Sequence, residues 1–156
     1  MFRVGLGQDS HRLTKGKPLI LAGVRIEFES GLEADSDGDV IIHSLGNALS
    51  TAVGGGSLDT WAGEMFRNGI TDSREFLKKI LEKIIKEKYS ISNVSIMVEA
   101  KQPKLEEYRE KMKASIAKIM KIEADQVGIA FTTGEGLSEF GKGKGIQAIS
   151  TVLIEK

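Results

Sequence analysis

The chain has 156 residues with 22 basic and 22 acidic side chains, a formal net charge of zero that excludes a nucleic-acid surface built on bulk positive charge. Its 40% apolar content is that of one globular domain over residues 1–156. There is no cysteine, so disulfides and thiolate metal sites are ruled out. With no long apolar run near Met1, the reading is a soluble, cytoplasmic protein.

In chain order, Phe2 to Leu6 reads as a short strand ending at Gly7. Leu19–Leu21 and Val24–Phe28, split by Ala22-Gly23, read as a hairpin. Gly31 to Asp39 is a polar loop whose aspartates suit a helix cap, and positions 41, 45, 48, 49 and 52 form an apolar helical stripe over Val40 to about Val53. Gly54-Gly55-Gly56 stops that helix, and Ser57 to Thr71 reads as a long loop. Asp72-Ser73 caps a helix with Phe76, Leu77, Ile80, Leu81, Ile84 and Ile85 on one face and a solvated lysine face over 78–88. Val94–Glu99 alternates as a strand. Pro103 fits the first turn of a helix carrying Leu105, Tyr108, Met112, Ile116 and Met120. Gln126–Phe131 is a strand, Gly134–Gly145 a glycine-rich loop and Ile146–Ile154 the last strand. The irregular order predicts an α+β fold, a single domain with a mixed β-sheet and helices packed on one face.

Both histidines of the chain sit beside aspartates, His11 after Asp9 and His43 after Asp37 and Asp39. Two imidazoles and one carboxylate suffice for a metal site with a vacant fourth position. Asp9 and His11, two apart in extended chain, share one side of it, and His43 lies near a helix start. The plainer alternative is an ion-paired turn and an ordinary helix residue. Two phosphate-loop look-alikes fail. Gly5-Leu6-Gly7 is followed by Ser10 where a dinucleotide turn needs glycine, with no helix after it. Gly136 to Gly141-Lys142 is followed by Gly143 rather than Ser or Thr, and then by a strand. The exposed amides and lysines of 141–145 remain able to hold an anion.

Four motifs in register resemble the 2-C-methyl-D-erythritol 2,4-cyclodiphosphate synthase family: Asp9-Ser10-His11, Ser36-Asp37-Gly38-Asp39 with His43, Ala100 with Pro103-Lys104, and Thr132-Thr133 with Glu135. The resemblance spans essentially the whole chain. It implies a metal-dependent phosphorus–oxygen lyase that cyclises 4-diphosphocytidyl-2-C-methyl-D-erythritol 2-phosphate, with release of CMP, in non-mevalonate isoprenoid precursor biosynthesis. By the same resemblance Asp9, His11 and His43 hold Zn2+, and Glu135 holds Mg2+ or Mn2+. Thr133 and Asp35 take catalytic positions at the phosphates. Ser10, Ser36, Thr132 and Lys142 bind substrate together with the metal ligands, and Ala100, Pro103 and Lys104 line the cytidine pocket. A homotrimer with active sites between subunits is also implied.

The chain departs from the family pattern at several points. Asp35 stands where many members carry His, Gly56-Ser57-Leu58-Asp59 replaces Gly-Asp-Ile-Gly, Trp61–Phe66 replaces a Phe-Pro-Asp stretch, and Lys142 replaces an Arg. Two alternatives follow from these: a divergent phospho-ligand enzyme on the same scaffold, and a non-catalytic trimer binding isoprenoid diphosphates through Lys142 and Lys144.

Overall fold

The computed structural model describes residues 1–156, with elements β1 (Phe2–Lys15), β2 (Leu19–Leu21), β3 (Val24–Ile26), β4 (Ser30–Leu32), α1 (Val40–Ala52), α2 (Leu58–Arg67), α3 (Ser73–Lys86), β5 (Ser90–Glu99), α4 (Arg109–Met120), β6 (Val127–Thr132) and β7 (Gly145–Glu155). Five strands form a mixed sheet in the order β4-β1-β7-β5-β6, in which only the β5–β6 pair is parallel; β2 and β3 make a separate hairpin. Alternation sets the two faces. Val94, Ile96 and Val98, Val127 and Ile129, and Ile146, Ala148, Val152 and Ile154 point to the helices and are buried. Their neighbours Met97 and Ile149, with Phe2, Val4 and Leu6 of β1, are exposed on the other face. One cluster of 31 buried side chains joins α1, α3 and α4 to the sheet, so this is a single α+β domain with helices on one face. No helix is long and apolar enough to cross a membrane.

α1 lies directly on β1. A Cβ on Gly5 would come within 1.8 Å of the Ala48 carbonyl oxygen, and one on Gly7 within 2.1 Å of that of Ser44. Gly5-Leu6-Gly7 is therefore the floor for a helix rather than a phosphate turn. Side chains of α1 also close the edge of β1 that lacks a strand partner here. Thr51 Oγ1 accepts from Leu6 N–H at 3.1 Å and donates to Leu6 C=O at 2.9 Å, and Asn47 Nδ2 donates to Gln8 C=O at 3.2 Å. Residues 43, 47 and 51 share one helix face, and four residues of helix rise about as far as two of strand, roughly 6 to 7 Å. The next rung brings His43 level with Ser10, and Asp9, two residues past the helix-facing Gly5 and Gly7, turns its side chain to the same helix and meets His43 there.

Several boundaries differ from the sequence expectation. β1 does not end at Gly7 but runs to Lys15, because β7 pairs with it as far as Arg12 and β4 continues from Leu13. The expected loop from Gly31 begins inside β4. Residues 57–71 are not a loop: α2 occupies Leu58–Arg67. Leu58, Trp61, Ala62, Met65 and Phe66 have helical spacing, Asp59 and Arg67 suit the two ends of the dipole, and Gly63 obscures the pattern. The Trp61 ring lies over Gly46 of α1, where a Cβ would come within 2.7 Å of it. Pro103 lies before α4 and not in its first turn; a 3-10 turn at Glu106–Tyr108 intervenes. Ile85 is 64% exposed at the rim of α3 rather than on its buried face.

Gly7→Ala is expected to destabilise the fold by about 3 kcal/mol or more, since the clash is with helix backbone that has no rotamer to change. Denaturant midpoints at unchanged m-value check it.

Candidate metal centre and flanking clusters

Asp9 and His11 project from β1, two residues apart, and His43 from the first turns of α1. Asp9 Oδ2 is 3.0 Å from His43 Nδ1 and 3.3 Å from His11 Nε2. One ligand atom from each of the three residues lies within 4.8 Å of the others. A tetrahedral ion with bonds of about 2.0 to 2.1 Å has ligand–ligand edges of about 3.3 Å. Two edges of the triangle are already close to that, and the third closes by a small swing of the half-buried His11. The donor set is all nitrogen and oxygen, so these residues fit a divalent ion. Burial pushes the Asp9 carboxyl up, but hydrogen bonds and charge from His11 and His43 outweigh it and hold it at about 2.

The α1 start that carries His43 is fixed by Asp39. This buried carboxylate accepts from Ile42 N–H at 3.1 Å as the N-cap, and from Ala22 N–H at 2.9 Å and Gly23 N–H at 2.7 Å. It thereby ties the β2–β3 turn to the helix. Burial raises Asp39 to about 6 despite these donors, and the Asp37 charge acts in the same direction. On its other side His43 packs 6.0 Å from the Phe76 ring of α3, which stacks 4.4 Å from Phe66 of α2.

Asp35 and Ser36 follow β4 on the His11 side. Asp35 is exposed, and Lys17 Nζ spans its turn by donating to the Ala34 and Ser36 carbonyls at 3.1 and 3.3 Å. Ser36 is buried, its hydroxyl accepting from Gly38 N–H at 3.1 Å. Ser10 is half-buried between the two β1 ligands.

A second cluster forms where β5 and β6 end side by side. Ala100 N–H donates to Thr132 C=O at 3.0 Å, placing Ala100 beside Thr132, with Pro103-Lys104 following one strand and Thr133 and Glu135 the other. Glu135 is exposed and in the left-handed region at φ 53°, between Gly134 and Gly136, which also have positive φ. A non-glycine residue there costs roughly 1 kcal/mol, a strain typical of functional turns. The loop 137–144 spans the two clusters, bonded to β1 through Leu13 N–H to Lys144 C=O and to the β5 end through Lys101 N–H to Phe140 C=O. Lys142 and Lys144 do not offer two free ammonium groups, because both pair with Glu139, at 3.2 and 2.6 Å. Beneath the loop, Ser10, His11, Arg12, Phe140 and Gly145 line a cavity of about 220 Å3.

Within one chain the two clusters stay apart. Ser10 is level with Gln147, Gln147 with Glu99 and Glu99 with Thr132. Three strand steps amount to roughly 14 Å. Two residues against the metal cluster had no assigned part in the sequence reading: Ser73, taken as part of a cap, and Asp37, taken as loop. Only the fold shows them beneath His43.

A sheet of this topology with an Asp-His-His centre at one end defines a family as well as a site. Residues 2–155 match the YgbB family, and the chain belongs to it. The 2-C-methyl-D-erythritol 2,4-cyclodiphosphate synthase of Chlamydia caviae is 41% identical over 99% of this chain and 89% of its own length. A solved 2C-methyl-D-erythritol-2,4-cyclodiphosphate synthase in a CDP-bound form superposes with TM-score 0.89 at 32% identity, covering 98% of this chain and 100% of that one. The bifunctional IspDF of Campylobacter jejuni gives TM-score 0.91 at 33% identity over 99% of this chain and 42% of its own.

Because Asp39 is raised from 3.8 to about 6, the folded chain holds this proton more tightly than the unfolded one. Its contribution to stability therefore falls as pH rises through that window. Asp39→Asn, which keeps a capping acceptor, should flatten the fall; urea midpoints of both proteins from pH 4 to 6.5 test this.

Proposed function

We infer that the chain is a 2-C-methyl-D-erythritol 2,4-cyclodiphosphate synthase of the non-mevalonate isoprenoid pathway. Its substrate is 4-diphosphocytidyl-2-C-methyl-D-erythritol 2-phosphate. The 2-phosphate oxygen forms a bond to the β-phosphorus, the bond from that phosphorus to the CMP oxygen breaks, and CMP leaves with the bond electrons. The single observation that carries the reading is the Asp9–His11–His43 triangle, in a chain 41% identical to a synthase along nearly its full length.

Zn2+ fits Asp9, His11 and His43, and Mg2+ or Mn2+ fits Glu135; such ions neutralise the charge of the diphosphate and of the departing phosphate. What remains for the side chains is binding and alignment. Ser10 and Ser36 offer hydroxyls beside the metal cluster, and Asp35, exposed next to Ser36, takes the catalytic position at the phosphates together with Thr133. Thr132 and Thr133 offer hydroxyls to the phosphates at the β6 end, and Lys142 gives a point charge. Ala100, Pro103 and Lys104 form the wall for cytidine. The CDP carried by the solved relative is the same nucleotide moiety.

The 14 Å between clusters, with an apolar sheet face left bare, supports assembly as a homotrimer in which one subunit's metal cluster meets a neighbour's cytidine wall. Phe2, Val4 and Leu6 are 60 to 71% exposed, and Met97 and Ile149 lie two strands across from them and between.

Incubation of the metal-loaded protein with the cytidylyl substrate should release CMP and the cyclic diphosphate. His43→Ala should lower metal content by one ion per chain and turnover by roughly 10^3-fold, the scale of several kcal/mol of lost charge neutralisation. No CMP from a metal-loaded wild-type protein would overturn the reading. Leu6→Glu, on the bare face and away from the ligands, should yield a monomer by analytical ultracentrifugation that binds the first metal but does not turn over.

A further inference from the structure

His43 uses only one ring nitrogen at the metal cluster. The other, Nε2, lies 2.6 Å from the Ser73 hydroxyl oxygen at the first residue of α3. That hydroxyl is in turn hydrogen-bonded to Asp37 Oδ1, while Asp37 Oδ2 accepts the Ser73 backbone N–H at 3.0 Å. Asp37 is itself anchored, its N–H donating to Thr71 C=O at 3.0 Å and its Oδ1 accepting from Asp39 N–H at 3.1 Å. Ser73 is 0% and His43 3% exposed, so water does not compete for these bonds.

Counting protons fixes the direction of the chain. A hydroxyl has one proton to donate, and a carboxylate only accepts. Asp37 takes the Ser73 proton, so the Ser73 oxygen must accept from His43, and the hydrogen of His43 resides on Nε2. In the neutral ring this leaves the lone pair on Nδ1, the nitrogen 3.0 Å from Asp9 Oδ2; with a second proton the same nitrogen donates to that carboxylate. A proton bridges the two atoms when the site is empty, and a metal ion replaces that proton when it binds, with the Nε2 hydrogen held by Ser73 in both cases. The Phe76 ring packs against the same imidazole, centroids 6.0 Å apart.

We propose that Ser73 is a positioning residue: the Asp37–Ser73–His43 chain fixes the tautomer and orientation of His43 so that Nδ1 meets the metal. The proposal rests on the metal reading above and adds to it which nitrogen ligates and what holds it there. Outer partners of this kind hold a ligating imidazole in one tautomer, and losing them costs 10- to 100-fold in metal affinity. The role also explains why the front of α3 is joined to the loop before α1: Asp37 and Ser73 close that junction from both sides.

The test uses the full chain and Zn2+ alone, without substrate. Chelator competition should give Ser73→Ala a zinc affinity 10- to 100-fold below wild type, at unchanged circular dichroism, and Ser73→Thr, which keeps the hydroxyl, should restore most of it. In the zinc-loaded wild type, long-range proton–nitrogen correlation of the imidazoles should show His43 ligating through Nδ1 with its proton on Nε2. This second measurement decides the matter even if Ser73→Ala does not fold. Equal zinc affinity in wild type and Ser73→Ala, or ligation of His43 through Nε2, would overturn the relay alone. A wild type that takes up no zinc would remove the metal reading together with it.

Discussion

The absence of two side chains holds this molecule in its arrangement. With hydrogen at Gly5 and Gly7, α1 rests on the backbone of β1, and any Cβ would collide with helix carbonyls at about 2 Å. Close approach lets Thr51 and Asn47 reach the strand edge and hydrogen-bond Leu6 and Gln8. Because the helix repeat of four residues and the strand repeat of two advance by nearly the same length, the rungs stay in step, and the third brings His43 level with Ser10, where Asp9, on the helix-facing side with Gly5 and Gly7, meets it. The metal cluster is therefore an extension of a packing contact, and its precision comes from elements that must pack this way for the core to close.

Polar groups around the contact are buried in numbers that would be costly if any lacked a partner. Asp39 takes three backbone N–H groups, and Asp37 takes two N–H groups and a hydroxyl. Asp39 lies one helix turn before His43 and Asp37 reaches His43 through Ser73, and together they staple the β2–β3 turn, the α1 start and the α3 start to each other. Asp9 and Asp39 end at opposite extremes, about 2 and about 6, for a simple reason. Burial pushes both up, but two imidazoles pull Asp9 down past its ordinary value, whereas at Asp39 burial outweighs the backbone donors and the like charge of Asp37 adds to it. One carboxylate is prepared to stay charged beside a cation, and the other is a structural cap.

What could be read from the sequence divides along physical lines. The metal triangle was legible because it consists of rare residues in short spacings, and α1, α3 and the β5, β6 and β7 strands were legible because burial on one face imposes a period. α2 was not, since its apolar stripe is only half-buried and a glycine interrupts it. The length of β1 was hidden because its outer half has Leu13 as its one apolar side chain and is held by pairing to β7 and β4 rather than by a hydrophobic pattern. Ser73 was invisible for a different cause: a serine after an aspartate at a helix start has a sufficient local explanation, and only the tertiary contact gives its hydroxyl a second one. The lysines of the 142–144 segment looked free because Glu139, which pairs with both, precedes them in a loop whose fold leaves no periodic trace.

The sheet also accounts for what the chain does not bring together. β7 and β5 stand between the strand that carries Asp9 and His11 and the strand that ends in Thr132 and Thr133. No side-chain rotation covers three strand spacings, so a ligand as short as a diphosphate cannot touch both ends of one sheet. Burial tells the same story from the other side: the helix-facing residues of every strand are packed, while Leu6, Met97 and Ile149 remain open to solvent on the face with no helices. A second copy placed against that face would cover apolar surface and shorten the gap between one chain's metal cluster and the other's β6 end in the same step. The uncovered surface and the divided site thus follow from one feature, a sheet given helices on one side only.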